Sequence, residues 1–405
     1  MGVWVKELGI HSRCLDGSSV YRIEGSREKK LKILERQSSR QGVYIINYES
    51  LRALRKTKSL AGLYWDTVIA DESTRIKTPR SLQSLAMHEF ADKNCANRIM
   101  LTGMPVTQCP LEYWSQFRFL NPSVFGTRYF SFRAHYAEMR ERQIPGKKAF
   151  REIVGYKNLD DLKAKVAPHA IRFEKDDCLD LPPKIYQTVE VPFHKKQKKL
   201  YVDLCKEMIA EIDGQKISVA NALAKMMKLR QICNGWVVDE FGATREIVSA
   251  AANPKLSALR NLVDELGKGF VVWCQFRKDI QMVRNLLEEL GLAVGVITGD
   301  TLQANRDLAI DRFQDGALDA MVLMSATCEF GVTLTRGHAS IYFGNGHSVD
   351  KRVQSEDRMH RAGLNHKVTY IDLVIGNSVD SAMAKVLNEK IEMARSLSDI
   401  RNLIA

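Results

Sequence analysis

The sequence predicts an α/β protein with two lobes, each built on a largely parallel sheet, and a helical segment between them. Three observations lead there. Short runs rich in β-branched and aromatic residues alternate with polar helical stretches over residues 1–172, and the same alternation returns over 255–405. Residues 173–254 read as mainly helical once the chain has passed Leu181-Pro182-Pro183. The 405 residues, 45% hydrophobic and 27% charged, have an ordinary globular composition at a length that suits two to four domains of roughly 100–200 residues.

In the first region the strand-like runs are Val43 to Tyr48, Thr67 to Ala70 and Ile99 to Leu101. In the last they are Phe270 to Cys274, Ala293 to Ile297, Ala320 to Met324, Ile341 to Phe343 and Val368 to Val374. Ligands of such sheets bind beyond the carboxyl ends of the strands, so the residues that follow each run are the ones to inspect.

Asp71 and Glu72 follow the second run. Paired carboxylates there could hold Mg²⁺ (Asp71) and orient or deprotonate a water (Glu72); an acidic pair also suits a helix N-terminus. Leu101-Thr102-Gly103-Met104-Pro105 follows the third run, where Gly-x-Pro forces a tight turn. Near the C-terminus Gln354, Arg358 and Arg361 fall at i, i+4 and i+7, a spacing that predicts one shared helix face. Ser348 or Asp350 can cap that helix and Gly363 can close it. Two arginines so placed can act as fingers on a γ-phosphate, or form a solvated basic face. His360, between them, reads as structural.

The net charge of +12 is concentrated. Residues 1–60 carry a surplus of 7 and residues 182–230 a surplus of 5, which together equal the whole excess. Such segments are either solvated faces or a phosphate-backbone track. The eight cysteines show neither zinc-ribbon nor redox spacing and read as reduced thiols of an intracellular protein, cytoplasmic if bacterial or viral. There is no signal-peptide core, and no apolar run approaches the length of a membrane span, so no membrane partner is expected.

The order and spacing of these blocks resemble the Swi/Snf-type ATPases of helicase superfamily two. Tyr44 to Leu51 is similar to their motif Ib. Asp71 to Thr78 is similar to motif II, a DEAH-like box with a Lys-containing turn. Leu101 to Pro105, with Phe119 to Pro122, is similar to motif III. Lys228 to Asn234 resembles a family signature before lobe two, and Phe270 to Phe276 resembles motif IV. Gly299, Arg306 and Phe313 follow the next block, Ser325 to Thr335 resembles motif V, and Gln354 to Gly363 resembles motif VI.

The resemblance implies two RecA-like lobes with mainly parallel sheets. Residues 1–172 would be a lobe one truncated at its N-terminus, 173–254 a helical insertion or linker, and 255–405 lobe two. It implies ATP and Mg²⁺ as cofactors and double-stranded DNA as partner. Asp71 and Glu72 would carry the metal and the attacking water. Gln354, Arg358 and Arg361 would close over the nucleotide. Thr102 and Gly103 would couple nucleotide state to the nucleic-acid path, and Gly331 and Thr335 would contact nucleotide or backbone phosphate. The second basic segment, above all Lys195, Lys196, Lys198 and Lys199, would line a duplex-binding cleft.

Two features depart from the family pattern. Ser73-Thr74 stands where the family has a small residue and His. The phosphate loop, G-x-x-x-x-G-K-[ST], is missing: the Gly-Lys pairs Gly146-Lys147 and Gly267-Lys268 lack its spacing and its Ser/Thr. Trp4 to Glu7 already resembles a segment that lies after that loop, so the chain is expected to begin partway through lobe one. Three readings follow: a second chain supplies the loop, the sequence is a fragment, or hydrolysis is lost and a non-catalytic DNA-binding or scaffold protein remains.

Overall fold

The computed structural model describes residues 2–12, 19–37, 41–106, 108–143, 150–173, 175–213, 219–330, 332–346 and 348–398. The chain divides into two compact units, residues 1–172 with 392–405, and residues 173–391.

The first unit carries β1 (Val20–Arg22) paired in parallel with β2 (Val43–Ile45), and β3 (Trp65–Ala70) paired in parallel with β4 (Cys95–Met100). An antiparallel hairpin, β5 (Ala137–Arg142) and β6 (Phe150–Tyr156), follows. The expected strand through Tyr48 stops at Ile45, because Asn47 accepts the Ser50 amide at 2.8 Å and caps the helix Tyr48–Leu54. One face of β3–β4 packs on a core that includes Leu51, Leu54, Phe90 and Phe119. On the other face Ile69, Ile99 and Leu101 remain 54%, 44% and 39% exposed. A second cluster gathers Trp114, Phe117, Phe132 and Tyr136 around the helices Glu112–Leu120 and Tyr129–Tyr136.

The second unit is built on a six-stranded, all-parallel sheet. Its strands are β7 (Lys184–Val191), β10 (Phe270–Cys274), β11 (Val294–Ile297), β12 (Ala320–Met324), β13 (Ala339–Tyr342) and β14 (Val368–Ile375), in the order β11-β12-β10-β13-β14-β7. A small antiparallel pair, β8 (Trp236–Val238) and β9 (Thr244–Glu246), lies apart from it. Alternate residues of β10 serve opposite faces. Phe270, Val272 and Cys274 join Leu256, Leu259 and Val283 on one side, and Val271 and Trp273 join Phe313, Leu334 and Met359 on the other. Burial on both faces is why these strands read as unbroken apolar runs.

After Pro183 the chain first forms β7, where the sequence reading expected helix. The β-branched residues of Lys184–Val191 pair in register with β14, and Val189 and Val191 pack against the core. The helices Lys195–Asp213 and Val219–Cys233 come afterwards. The described free cysteines range from buried (Cys95, Cys233, Cys274) to exposed (Cys178). Among the described residues no helix is long and apolar enough to cross a membrane.

Candidate nucleotide and nucleic-acid sites

In the first unit two sequence blocks meet at the carboxyl ends of β3 and β4. The chain leaves β3 at Asp71, and Glu72 adopts a left-handed conformation (φ +50°) before the 3₁₀ turn Ser73–Ile76. A non-glycine residue in that region stores strain of the kind found at functional sites. The Asp71 carboxylate accepts the Trp4 indole N–H at 2.7 Å on Oδ2 and the Glu72 amide at 3.0 Å on Oδ1. The Tyr48 hydroxyl donates to the Asp71 carbonyl at 2.7 Å. Burial, and then the negative charge of Asp71, push the Tyr48 phenol above its ordinary value, so it stays a donor.

Ser73 ties this segment to the next block. Its amide donates to the Leu101 carbonyl at 2.9 Å. Its buried hydroxyl donates to Gln116 Oε1 at 2.7 Å, and Gln116 Nε2 donates to the Pro105 carbonyl at 2.6 Å. Thr102 Oγ1 accepts the Met104 amide at 3.2 Å, fixing the turn through the exposed Gly103. The Ser73 hydroxyl thus links the Asp71–Glu72 turn through Gln116 to Pro105, and the backbone amide at the same position holds the turn to Leu101. Gln116 was missed in the sequence because nothing in a helical stretch of aromatic residues marks one amide as a bridge.

The exposed Asp71–Glu72 pair fits Mg²⁺, which keeps most of its waters and takes one or two carboxylates with substrate phosphates. Among the described residues no group of three or more His, Cys, Asp or Glu side chains forms a self-sufficient metal site, so waters and substrate phosphates would complete the coordination.

In the second unit the helix Val349–Asp357 is capped by Ser348, whose hydroxyl accepts the Lys351 amide at 3.3 Å. The helix stops earlier than its sequence period suggests. Arg358 is its C-cap, and the Arg358 carbonyl accepts the Leu334 amide at 2.8 Å. Arg361 lies beyond in a turn, ahead of Gly363 at φ +91°. Gln354, Arg358 and Arg361 therefore do not share one helix face; the tertiary bond to Leu334 ends the helix before the pattern does. Arg361 Nη1 donates to Thr333 Oγ1 at 3.0 Å, which ties that residue to the arginine turn, and Thr335 Oγ1 accepts from Gln314 Nε2 at 3.0 Å. Gly331 lies outside the described residues. Gln354 Oε1 is buried with no hydrogen-bond partner among the described residues, a feature that suits a side chain waiting for a ligand.

A buried ion network holds this helix. Arg352 makes a two-pronged pair with Asp372 of β14 at 2.5 and 3.2 Å, donates to Glu356 at 2.9 Å and to Asn345 at 2.9 Å, and lies 3.5 Å from the Tyr342 ring centroid. Glu356 also accepts from Lys184 at 3.0 Å and Tyr186 at 2.8 Å. Burial acts to raise the Glu356 carboxyl, but Lys184 and Arg352 outweigh it and hold it below its ordinary value. His360 bonds the Pro182 carbonyl at 2.8 Å, the structural role expected of it. One signal for the network is visible in the sequence: a charged residue, Asp372, inside a mostly apolar strand.

Lys195, Lys196, Lys198 and Lys199 are exposed on the first turns of Lys195–Asp213. At ~100° per residue they span an arc of about 160° centred opposite Gln197. Gln197 is buried and donates to the Ile232 carbonyl at 3.0 Å. That helix has no acidic residue in its first turn, so four cations oppose both the macrodipole and one another.

Comparison with known proteins follows the same order of blocks. A family model for the SNF2-related domain matches residues 1–236, and one for the helicase conserved C-terminal domain matches residues 254–363. The TATA-binding protein-associated factor mot1 of Aspergillus fumigatus is 23% identical over 89% of this chain and 21% of its own. The ISWI chromatin-remodeling complex ATPase ISW1 of Saccharomyces cerevisiae is 23% identical over 96% of this chain and 34% of its own. Protein p41 of the Acyrthosiphon pisum secondary endosymbiont phage 1 is 23% identical over 92% of this chain and 79% of its own. Among solved structures, the Sulfolobus solfataricus SWI2/SNF2 ATPase core in complex with dsDNA covers 98% of this chain and 80% of that chain at 23% identity, with a TM-score of 0.45. The chain spans about a fifth to a third of the length of the mot1 and ISW1 proteins. With the SNF2-related domain matched over more than half of its residues, the chain belongs to the Swi/Snf-type family of helicase superfamily two.

Proposed function

We propose that this chain carries out ATP-dependent translocation on double-stranded DNA, using a phosphate loop supplied from outside this sequence. Asp71 holds Mg²⁺ with the substrate phosphates, and Glu72 orients the attacking water. Gln354, Arg358 and Arg361 stabilise the transferring phosphoryl charge, and Thr335, with Gly331, contacts phosphate. Ser73 carries changes at Asp71–Glu72 to Thr102 and Gly103, and Lys195, Lys196, Lys198 and Lys199 of the second unit contact the DNA backbone. The observation that carries this reading is the clamp from Ser73 to Leu101 and, through Gln116, to Pro105, which joins a nucleotide-type carboxylate turn to a second loop at the same strand ends. ATP and Mg²⁺ supply the reactive phosphate and its charge neutralisation; the chain supplies orientation.

A second chain bearing the phosphate loop suits the exposed apolar face of β3–β4 and the absence of the loop sequence. That absence also favours a second reading, a non-catalytic DNA-binding or scaffold protein. One experiment separates them: ATP hydrolysis is measured with duplex DNA, with and without a polypeptide carrying G-x-x-x-x-G-K-[ST]. The expected result is weak turnover alone, restored by the added chain and abolished by Glu72→Gln or Arg361→Ala. Robust turnover by the chain alone would refute the outside loop. Salt-sensitive DNA binding that ignores both ATP and Glu72→Gln would establish the second reading.

A further inference from the structure

We propose that Arg80, Phe130 and Arg133 of the first unit form a phosphate-contact site for the backbone of duplex DNA, separate from the lysines of the 195–213 helix; this rests on the DNA-binding part of the reading above. Phe130 is a large aromatic side chain left 58% exposed. It projects from the helix Tyr129–Tyr136, whose other side is locked by buried Phe132 and Tyr136. Phe132 and Phe125 ring centroids are 4.9 Å apart, so the platform is anchored in the core.

Two guanidinium groups rest on this one ring. Arg133, three residues on and on the same helical face, lies 5.1 Å from the Phe130 centroid. Arg80, from the turn after the 3₁₀ segment, also lies 5.1 Å from it. The two cations are therefore no further apart than about 10 Å, a Debye length at 0.1 M salt. Neither pairs with a carboxylate among the described residues.

Like charges gathered on an aromatic platform without a counter-ion repel one another, and a bound anion relieves that cost. Contact with the ring holds each guanidinium near it and leaves its N–H donors without a carboxylate among the described residues. Planar N–H forks of that kind match phosphate oxygens, and two of them at this spacing match adjoining phosphates of a polyanion better than a lone ion. Arg80 follows directly on the segment that Asp71 and Glu72 open, so a backbone held here would be tied to the same turn that the nucleotide reads.

The test is binding of a short DNA duplex by fluorescence anisotropy across a salt series, without ATP. Replacing both arginines, Arg80→Ala with Arg133→Ala, is expected to reduce the slope of log affinity against log salt by about 1.8 and to weaken binding on the order of 50-fold at 0.1 M. Arg80→Lys with Arg133→Lys should restore the slope. Phe130→Ala should leave the slope intact and weaken binding about two- to fivefold, because charge remains but its platform is gone. These exposed or half-buried positions should leave thermal unfolding unchanged, and Phe130→Ala offers an independent test should the double variant fold poorly. An unchanged slope in the double variant, with wild-type protein binding normally, overturns this site alone. Absence of duplex binding by the wild-type chain overturns it together with the DNA-binding reading.

Discussion

Replacing Glu356 by Gln should cost the second unit about 3 kcal/mol of stability and move the arginine turn. The wild-type carboxylate is 2% exposed and accepts from Arg352 Nε, Lys184 Nζ and the Tyr186 hydroxyl. Gln keeps one acceptor and turns an N–H₂ toward a cation or a hydroxyl. Breaking a buried pair by removing one partner typically costs about 3–5 kcal/mol. The lower end applies here because Arg352 retains Asp372 and Lys184 retains Asp357 at 3.6 Å. The assay is native-state hydrogen exchange on β10, β13 and β14 peptides, where about 3 kcal/mol appears as an opening constant roughly 150-fold larger. The pH dependence follows from the direction of the shift. A carboxyl held below its unfolded value of 4.5 contributes stability that is present above that value and lost as pH falls through the folded one. The gap between wild type and variant should therefore be full at neutral pH and narrow in acid. A gap under about 1 kcal/mol, or one that does not change with pH, would refute the view that Glu356 is the buried hub of this helix.

Other expectations are independent of that one. Ser73→Ala should cost about 1 kcal/mol, and should reduce DNA stimulation of ATP hydrolysis by the reconstituted protein more than its basal rate; equal loss of both would argue against a coupling role. Charge reversal at Lys195, Lys196, Lys198 and Lys199 should weaken duplex binding and flatten its salt slope by up to about 3.6, and unchanged binding would make these lysines only a solvated face. Burial pushes the Asp279 carboxyl up to about 6 despite hydrogen bonds from Trp236 and Asn234 and the nearby Lys255 charge. A raised carboxyl contributes stability that is present below the unfolded value of 3.8 and lost as pH rises through about 6. Relative to Asp279→Asn, wild-type stability followed by urea unfolding should fall across that window, and parallel curves would show that Asp279 does not titrate there.

How much could be read from the sequence depended on whether the deciding interaction was local. β10 and β12 are legible because strands buried on both faces need unbroken apolar runs, and β14 is legible from its mostly apolar, β-branched run despite Asp372. β5 was not, since Ala137–Arg142 carries mostly charged residues and is held by its antiparallel partner. β7 is hidden in a stretch whose pattern is mainly helical, because its eight residues owe their strand conformation to β14, almost two hundred positions away. The same holds for the sites. Asp71 and Glu72 were visible at a strand end, and the Ser348 cap was visible three residues before the amide it accepts. The end of the arginine helix was not, because the Leu334 amide that donates to the Arg358 carbonyl belongs to another segment. Ser73 stood out as a departure from the family pattern, and only its distance to Gln116 gave it a role.

The two units differ in how well their sheets are covered, and this bears on how a polypeptide carrying a phosphate loop would dock. Parallel strands are stable when both faces are buried. β10 and β12 meet that condition almost completely, with every residue of β10 fully buried. β3–β4 meets it on one face only, and the three exposed side chains Ile69, Ile99 and Leu101 run along the other, up to the loop that holds Thr102 and Gly103. The carboxylate turn of Asp71 and Glu72 sits at the end of that same half-covered pair. A polypeptide carrying the phosphate loop that packed on those three residues would bury the uncovered face and arrive beside Asp71 in one step. Stabilising the sheet and completing the nucleotide site would then be a single binding event, so the added chain should protect β3 and β4 amides from exchange under the same conditions in which it restores hydrolysis. Restored hydrolysis without that protection would mean that the loop reaches the site by another surface.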